Sequence, residues 1–264
     1  MARRAELSKY ALESIDRMAT VLHTLEAAPE QSLEQVARAT GLNESTALRY
    51  LLSLTKHGFV DRNDDSGLFR LGLGLFRLGA RAIESRDILG VADPVMTDLQ
   101  TRFGESVNLA IFQQDRVVLI RTLGRPDSMR KEGKAGEIDP WHATSLGKAI
   151  LAALPADDAM AILTATPLHR YTPNTRTVID DLEGELRSTR QHGYSVDDEE
   201  VVEGLRCVGV AVRDHSGRVQ YGLSVSGPKS RMSLSRIQEI GAVLIQSASD
   251  LSNRLGASAR TKPL

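Results

Sequence analysis

The sequence predicts an α+β chain: an N-terminal winged helix-turn-helix, a linker helix, and a larger C-terminal α+β domain. Three observations predict it. Three short amphipathic helical patterns are followed by two strand-like runs around a polar, glycine-ended turn, all within the first 72 residues. Residues 73 to 103 read as helical in two pieces. From Ser106 onward strands and helices mix without a regular βαβ repeat, which sets that part apart from doubly wound folds. The expected divisions are 1–72, 73–103 and 104–264.

Each element has a local cause. Between Ala11 and Ala28, Leu12, Ile15, Met18, Ala19, Leu22 and Leu25 recur at helical spacing, and Pro29 stops the run. Ser32 opens a second helix, with Gln35 three positions on completing a capping-box pattern, and Gly41 closes it. A third helix runs from Asn43–Ser45 to His57, with Gly58 as its stop. At about 100° per residue, Ala47, Leu48, Leu51, Leu52 and Leu54 are expected on the core side. Ser45, Thr46, Arg49, Tyr50, Ser53 and Lys56 are expected opposite. Phe59–Arg62 and Leu68–Leu71 read as the wing, joined by Asn63–Gly67. In the helical stretch that follows, Pro94 marks a restart, and the stretch reads as a dimer element.

In the C-terminal domain, Val107–Phe112 and Val117–Arg121 read as paired strands around Gln113–Asp115. Helices are expected at Thr144–Leu154, Asp157–Leu163, Val178–Gln191 and Ser233–Leu255. Further strands are expected at Ser195–Val196, Cys207–Arg213 and Val219–Ser226.

Bulk properties narrow the function classes. The chain has 264 residues, 41% hydrophobic and 25% charged, with a net charge of −1. Residues 1–70 hold nine Lys/Arg against ten Asp/Glu, again −1, so a nucleic-acid partner must be argued from local geometry. The single cysteine, Cys207, rules out an intramolecular disulfide and a cysteine-rich zinc site. It fits a reducing cytoplasm. The start has no apolar stretch of signal-peptide type, and no stretch approaches the roughly 18 apolar residues needed to span a membrane. No cofactor is implied.

The third helix carries the sharpest chemistry. Asn43, Ser45 and Thr46 put short donors and acceptors at its N-terminus, where a recognition helix meets base edges and phosphates. Arg49 can pair with guanine or phosphate, and Tyr50 can bond the backbone or stack. Arg62 and Arg70, on the wing, are expected phosphate contacts. Arg3 and Arg4 read more readily as a solvated arm than as a minor-groove contact. Taken alone this face is solvated surface; with the preceding helix, Gly41 and the wing it reads as a DNA-facing surface. Gly72-Leu73-Gly74 imitates a dinucleotide loop but lacks the third glycine and the preceding parallel strand. An enzyme alternative would use Cys207 as nucleophile with His142 as base and Asp197 as orienter, but no nucleophile-elbow motif accompanies them.

Several separated motifs carry a more specific signal. "LEQVARATGLNESTALRYLLSLTKHGFV", "PWHATSLGKAILAALP", the run from "YTPNTRTVIDDLEGE" to "CVGVAVRD", and "GLSVSGP" occur in order along nearly the whole chain. By them the chain resembles the IclR-type bacterial transcription regulators. The resemblance implies a GAF-like C-terminal effector-binding domain, double-stranded operator DNA and a small-molecule effector as partners, and transcriptional control by a homodimer or dimer of dimers; a repressor is expected, with the choice between repressor and activator left open by the sequence. It places the effector site at Ser145 and Leu146, Asp197, Cys207, Ser224 and Ser226, with Met129 and Trp141 adding apolar and aromatic packing. Trp141 stands where the family has a smaller aliphatic residue, and Ser145-Leu146 replaces a small pair. These departures imply a different site volume and favour an aromatic acid over a very small one. The bland alternatives are strand hydroxyls bonded to backbone for the serines and a buried core thiol for Cys207.

Overall fold

The computed structural model describes residues 12–84, 88–124 and 133–256. Met129, Arg3 and Arg4 lie outside them. The chain divides into two compact units, residues 1–86 and 87–264.

The first unit holds α1 (Glu13–Glu26), α2 (Leu33–Thr40), α3 (Glu44–Lys56), β1 (Val60–Arg62), β2 (Phe69–Leu71) and α4 (Leu73–Glu84). Ser32 and Gln35 form the full capping box, and Gly41 takes the left-handed conformation that ends α2 (φ 68°). β1 and β2 pair antiparallel. Gln31 extends the hairpin by exchanging backbone bonds with Phe69 at 2.9 and 2.8 Å. Val21, Leu25, Val36, Leu51, Leu54, Val60 and Phe69 make the core. Gly72 and Gly74 are close-approach glycines. A Cβ at either would overlap the Gly58 carbonyl, and both N–H groups bond backbone carbonyls at Phe59 and Gly58 (2.9 Å each). Backbone packing thus explains the glycine pair that imitated a nucleotide loop.

Three expectations are corrected. Leu52 is 47% exposed and not in the core, while Tyr50 is half-buried against the core. The cause is angular: with Ala47, Leu51 and Leu54 inward, Tyr50 and Leu48 flank the core at about 80° and Leu52 sits about 120° away. Pro94 also fails to restart a helix. It lies inside α5 (Ile88–Phe103), which begins before it. The proline removes one helical N–H donor, and the burial of Ile88, Ala92, Met96, Leu99 and Phe103 along the same helix offsets that loss.

The second unit adds β3 (Ser106–Gln113), β4 (Arg116–Leu123), β5 (Ile138–Asp139), α6 (Ser145–Ala153), α7 (Ala156–Ala165), α8 (Ile179–His192), β6 (Ser195–Asp198), β7 (Leu205–Arg213), β8 (Val219–Pro228) and α9 (Leu234–Arg254). Six strands form one antiparallel sheet in the order β5-β4-β3-β8-β7-β6. The β3–β4 turn places Gln114 and Asp115 at φ 52° and 53°, as a tight two-residue hairpin requires. The short strand β5 was not foreseen.

Register decides which side chains share a face, because directly opposed residues project together. One face carries the row Asp197–Cys207–Ser226–Ser106, then Ser195–Gly209–Ser224–Asn108–Thr122, then Ala211–Gly222–Ala110–Leu119. Helix α6 covers this face. A Cβ on Gly209 would meet the Ser145 backbone at 2.8 Å, and one on Gly222 would meet Leu146 at 2.9 Å. Leu146, Ile150, Leu151, Ile162, Leu163, Leu182 and Leu186 complete an apolar core with Ala110, Val117 and Leu119. Val208, Val210, Val212, Leu223 and Val225 point to the other face, where α9 packs.

Candidate functional site

Two candidate surfaces follow, one in each unit. On α3, Asn43 is the N-cap: its Oδ1 accepts the Thr46 N–H and the Ser45 hydroxyl, both at 2.8 Å. Asn43 and Ser45 are therefore bonded to each other, with Ser45 exposed at the helix start. Ser45, Arg49, Leu52, Ser53 and Lys56 form the outward stripe. Thr46 is half-buried at its margin, and Tyr50 lies against the core with only part of its surface available. On the wing, Arg62 is exposed and its guanidinium lies over the Phe69 ring at 5.6 Å. Arg70 faces Glu30 at 3.6 Å and Asp61 at 4.0 Å, two weak exposed pairings that a phosphate could displace.

In the second unit the residues expected to bind an effector divide by role. Asp197, Cys207, Ser224 and Ser226 meet on the α6-covered sheet face, in two adjacent rows. Ser145 is buried where α6 touches Gly209, and its carbonyl accepts the Ser195 hydroxyl at 2.5 Å. Thr144, not Ser145, caps α6, accepting the Gly147 N–H at 3.0 Å. Leu146 and Trp141 belong to the apolar core, with Trp141 edge-on to Phe112 at 5.4 Å between centroids.

Burial dominates the electrostatics. It pushes the Asp197 carboxyl up to about 7, partly opposed by the Glu200 N–H bond and the Lys148 charge. It does the same to Asp139 on β5, with Glu137 adding to the effect. The Cys207 thiol is raised by burial and then by Asp197, while Ser226 acts in the opposite sense.

Two groups that the sequence reading missed support this face. Asn108, buried on β3, donates from Nδ2 to Ser226 Oγ at 3.0 Å and to Ser224 Oγ at 3.4 Å, and its Oδ1 accepts the Thr122 hydroxyl at 3.0 Å. Lys148, fully buried on α6, ion-pairs with Glu200 and with Glu185 (3.3 Å) and donates to the Val196 carbonyl at 2.5 Å. Arg176 reaches the same two carboxylates at 3.0 and 3.5 Å. A lysine at i+3 from Ser145 in a stretch of apolar and small residues was the one available signal.

The enzyme alternative finds no support in this geometry. His142 Nε2 bonds the His169 carbonyl at 2.8 Å, and its ring stacks on Tyr171. A nucleophilic thiol needs a lowered pKa, and that of Cys207 is raised. Among the described residues no group of three or more His, Cys, Asp or Glu could hold a metal ion, and no helix is long and apolar enough to cross a membrane.

Comparison with known proteins assigns both units. The IclR helix-turn-helix domain matches residues 14–64, and the bacterial transcriptional regulator IclR C-terminal domain matches residues 80–253. The Escherichia coli HTH-type transcriptional repressor AllR is 35% identical over 248 residues, 94% of this chain and 92% of AllR. Among solved structures, an IclR transcriptional regulator from Alicyclobacillus acidocaldarius superposes with a TM-score of 0.82 at 27% identity, covering 94% of this chain and all of that one. An IclR homologue from Microbacterium hydrocarbonoxydans, complexed with 4-hydroxybenzoate, does so at 0.78 and 26% identity, covering 92% and 99%. With both domain matches in order and a repressor relative aligned over nearly its whole length, this chain belongs to the IclR family of DNA-binding transcriptional regulators.

Proposed function

We propose that the chain is a cytoplasmic repressor that binds operator DNA through α3 and the wing, as a homodimer or dimer of dimers. A small organic acid, aromatic in preference, releases it. The proposed DNA contacts are Asn43, Ser45, Thr46, Arg49, Arg62 and Arg70, with Tyr50 contributing only its exposed edge. The proposed effector site is built on Asp197, Cys207, Ser224 and Ser226, beside Ser145, Leu146 and Trp141, with Met129 as a further candidate. The linker helices 73–103 are proposed to carry the change between them. The observation that carries the effector reading is the polar double row on a sheet face whose remainder is apolar core. A fold that needed only stability would continue the apolar packing there. The ligand in the Microbacterium homologue supports an aromatic acid, and AllR supports repression. The effector controls DNA affinity only insofar as it binds the two arrangements of the protein unequally.

The test is a thermal-shift screen of small organic and aromatic acids, followed by calorimetry on the double variant Ser224→Ala/Ser226→Ala. A stabilising acid whose isotherm is lost in the folded double variant supports the site. An isotherm that survives unchanged places binding elsewhere.

A further inference from the structure

Asn108 is an unusual occupant of a central strand. It is buried, and it sits between Ser224 on β8 and Thr122 on β4. Its amide is spent on hydroxyls: the carbonyl accepts from Thr122, and the amine faces Ser226 and Ser224. That polarity has a consequence for the serines. A hydroxyl whose oxygen is already accepting from an amide N–H has its own proton left to give. Across the same face, Asp197 stands beyond Cys207 as an oxygen-rich group with one oxygen already accepting the Glu200 N–H at 2.7 Å.

We propose that Asn108, oriented by Thr122, is the specificity-determining residue of this site. It holds the Ser224 and Ser226 hydroxyls as donors, so that this half takes a ligand's carboxylate while the Asp197 half takes a hydroxyl or amine of the same molecule. The ligand class is a small hydroxy- or amino-carboxylate. The inference rests on the assignment of the effector site to this face. Chain order gives no hint of it, because Asn108 lies 116 and 118 residues from the two serines it polarises. A purely structural asparagine would knit strands together without discriminating among ligands, and the test separates the two roles.

Full-length protein is titrated by calorimetry with two matched pairs, 4-hydroxybenzoate against 4-hydroxybenzamide and glycolate against glycolamide. Wild type is expected to prefer the carboxylate of at least one pair by about tenfold, the worth of a hydrogen bond to a charged acceptor. Asn108→Asp offers only acceptors, draws the serine protons to itself and should invert the preference. Thr122→Val keeps the shape, frees the amide to turn over and should narrow the ratio. It also carries the test if Asn108→Asp does not fold. An unchanged carboxylate-to-amide ratio in both folded variants overturns the proposal, as does wild type that binds none of the four probes. Ser224→Ala/Ser226→Ala separates the two failures. If it abolishes binding while both other variants leave the ratio unchanged, the site stands and the role of Asn108 falls. If it changes nothing, the site itself is misplaced and the proposal falls with it.

Discussion

Glu200 donates its backbone N–H to Oδ1 of Asp197 at 2.7 Å, while its own carboxylate takes the buried ammonium of Lys148. The turn between them is tight: Glu199 adopts φ 62°, secured by Lys229 and by the Gly204 N–H at 2.9 Å. Thr172 and Thr175 donate to the Glu199 and Glu200 carbonyls at 2.7 and 2.6 Å. The position of a candidate ligand group is thereby tied to helix α6, whose first residue lies against Gly209.

That tie should be costly to cut. Lys148→Met leaves the buried Glu200 and the half-buried Glu185 with only Arg176 as a countercharge. The expected loss for the second unit is about 3–5 kcal/mol in a urea titration. Adding Glu200→Gln should recover part of it. A single variant with wild-type stability would show that the cluster contributes nothing.

The two raised carboxyls predict a direction of pH dependence. Asp197 and Asp139 titrate at about 7 when folded, against an ordinary 3.8. Between those values the folded state holds more protons than the unfolded chain, so stability falls as pH rises through that window. Asp197→Asn keeps an acceptor for the Glu200 N–H and removes one titration. Its melting temperature should fall less than that of wild type between about pH 4 and about pH 7. Parallel falls would contradict the assignment.

The rotation of α3 separates two neighbouring leucines. Leu51→Ala should cost about 2–5 kcal/mol. Leu52→Ala, on the outward stripe with Arg49, should stay within about 0.5 kcal/mol. On a DNA fragment selected from a random pool, Arg49→Ala should weaken binding by about 1–3 kcal/mol if it reads a base. Anisotropy titrations check this, and unchanged affinity would remove Arg49 from the interface.

Asn43 acts as a cap whether or not DNA is present. Asn43→Ala should lower the stability of the first unit by about 1 kcal/mol, and Asn43→Asp should retain it. Thermal unfolding of both variants distinguishes capping from a role confined to DNA.

Much of this protein is legible in its residues because the deciding chemistry is local. Ser32 with Gln35, Gly41, and Asn63 to Gly67 each act within a few residues, and each does what its type dictates. Leu52 is apolar like its neighbours, yet it sits at the edge of the arc and the docking of α3 through Ala47, Leu51 and Leu54 turns it outward. Pro94 does not break α5, because a proline's cost to a helix is finite and burial along α5 offsets it.

By itself the sequence determined the winged helix-turn-helix, most of the longer helices and strands, and the family, all of which depend on short-range periodicity and ordered motifs. Only the tertiary structure decided that Asn108 and Thr122 stand beside Ser224 and Ser226, or that Lys148 pairs with Glu200 52 residues away. The physical reason is register. Which side chains share a face depends on how distant strands pair and where α6 docks, and a bulge between Leu109 and Ala110 shifts that pairing by a residue.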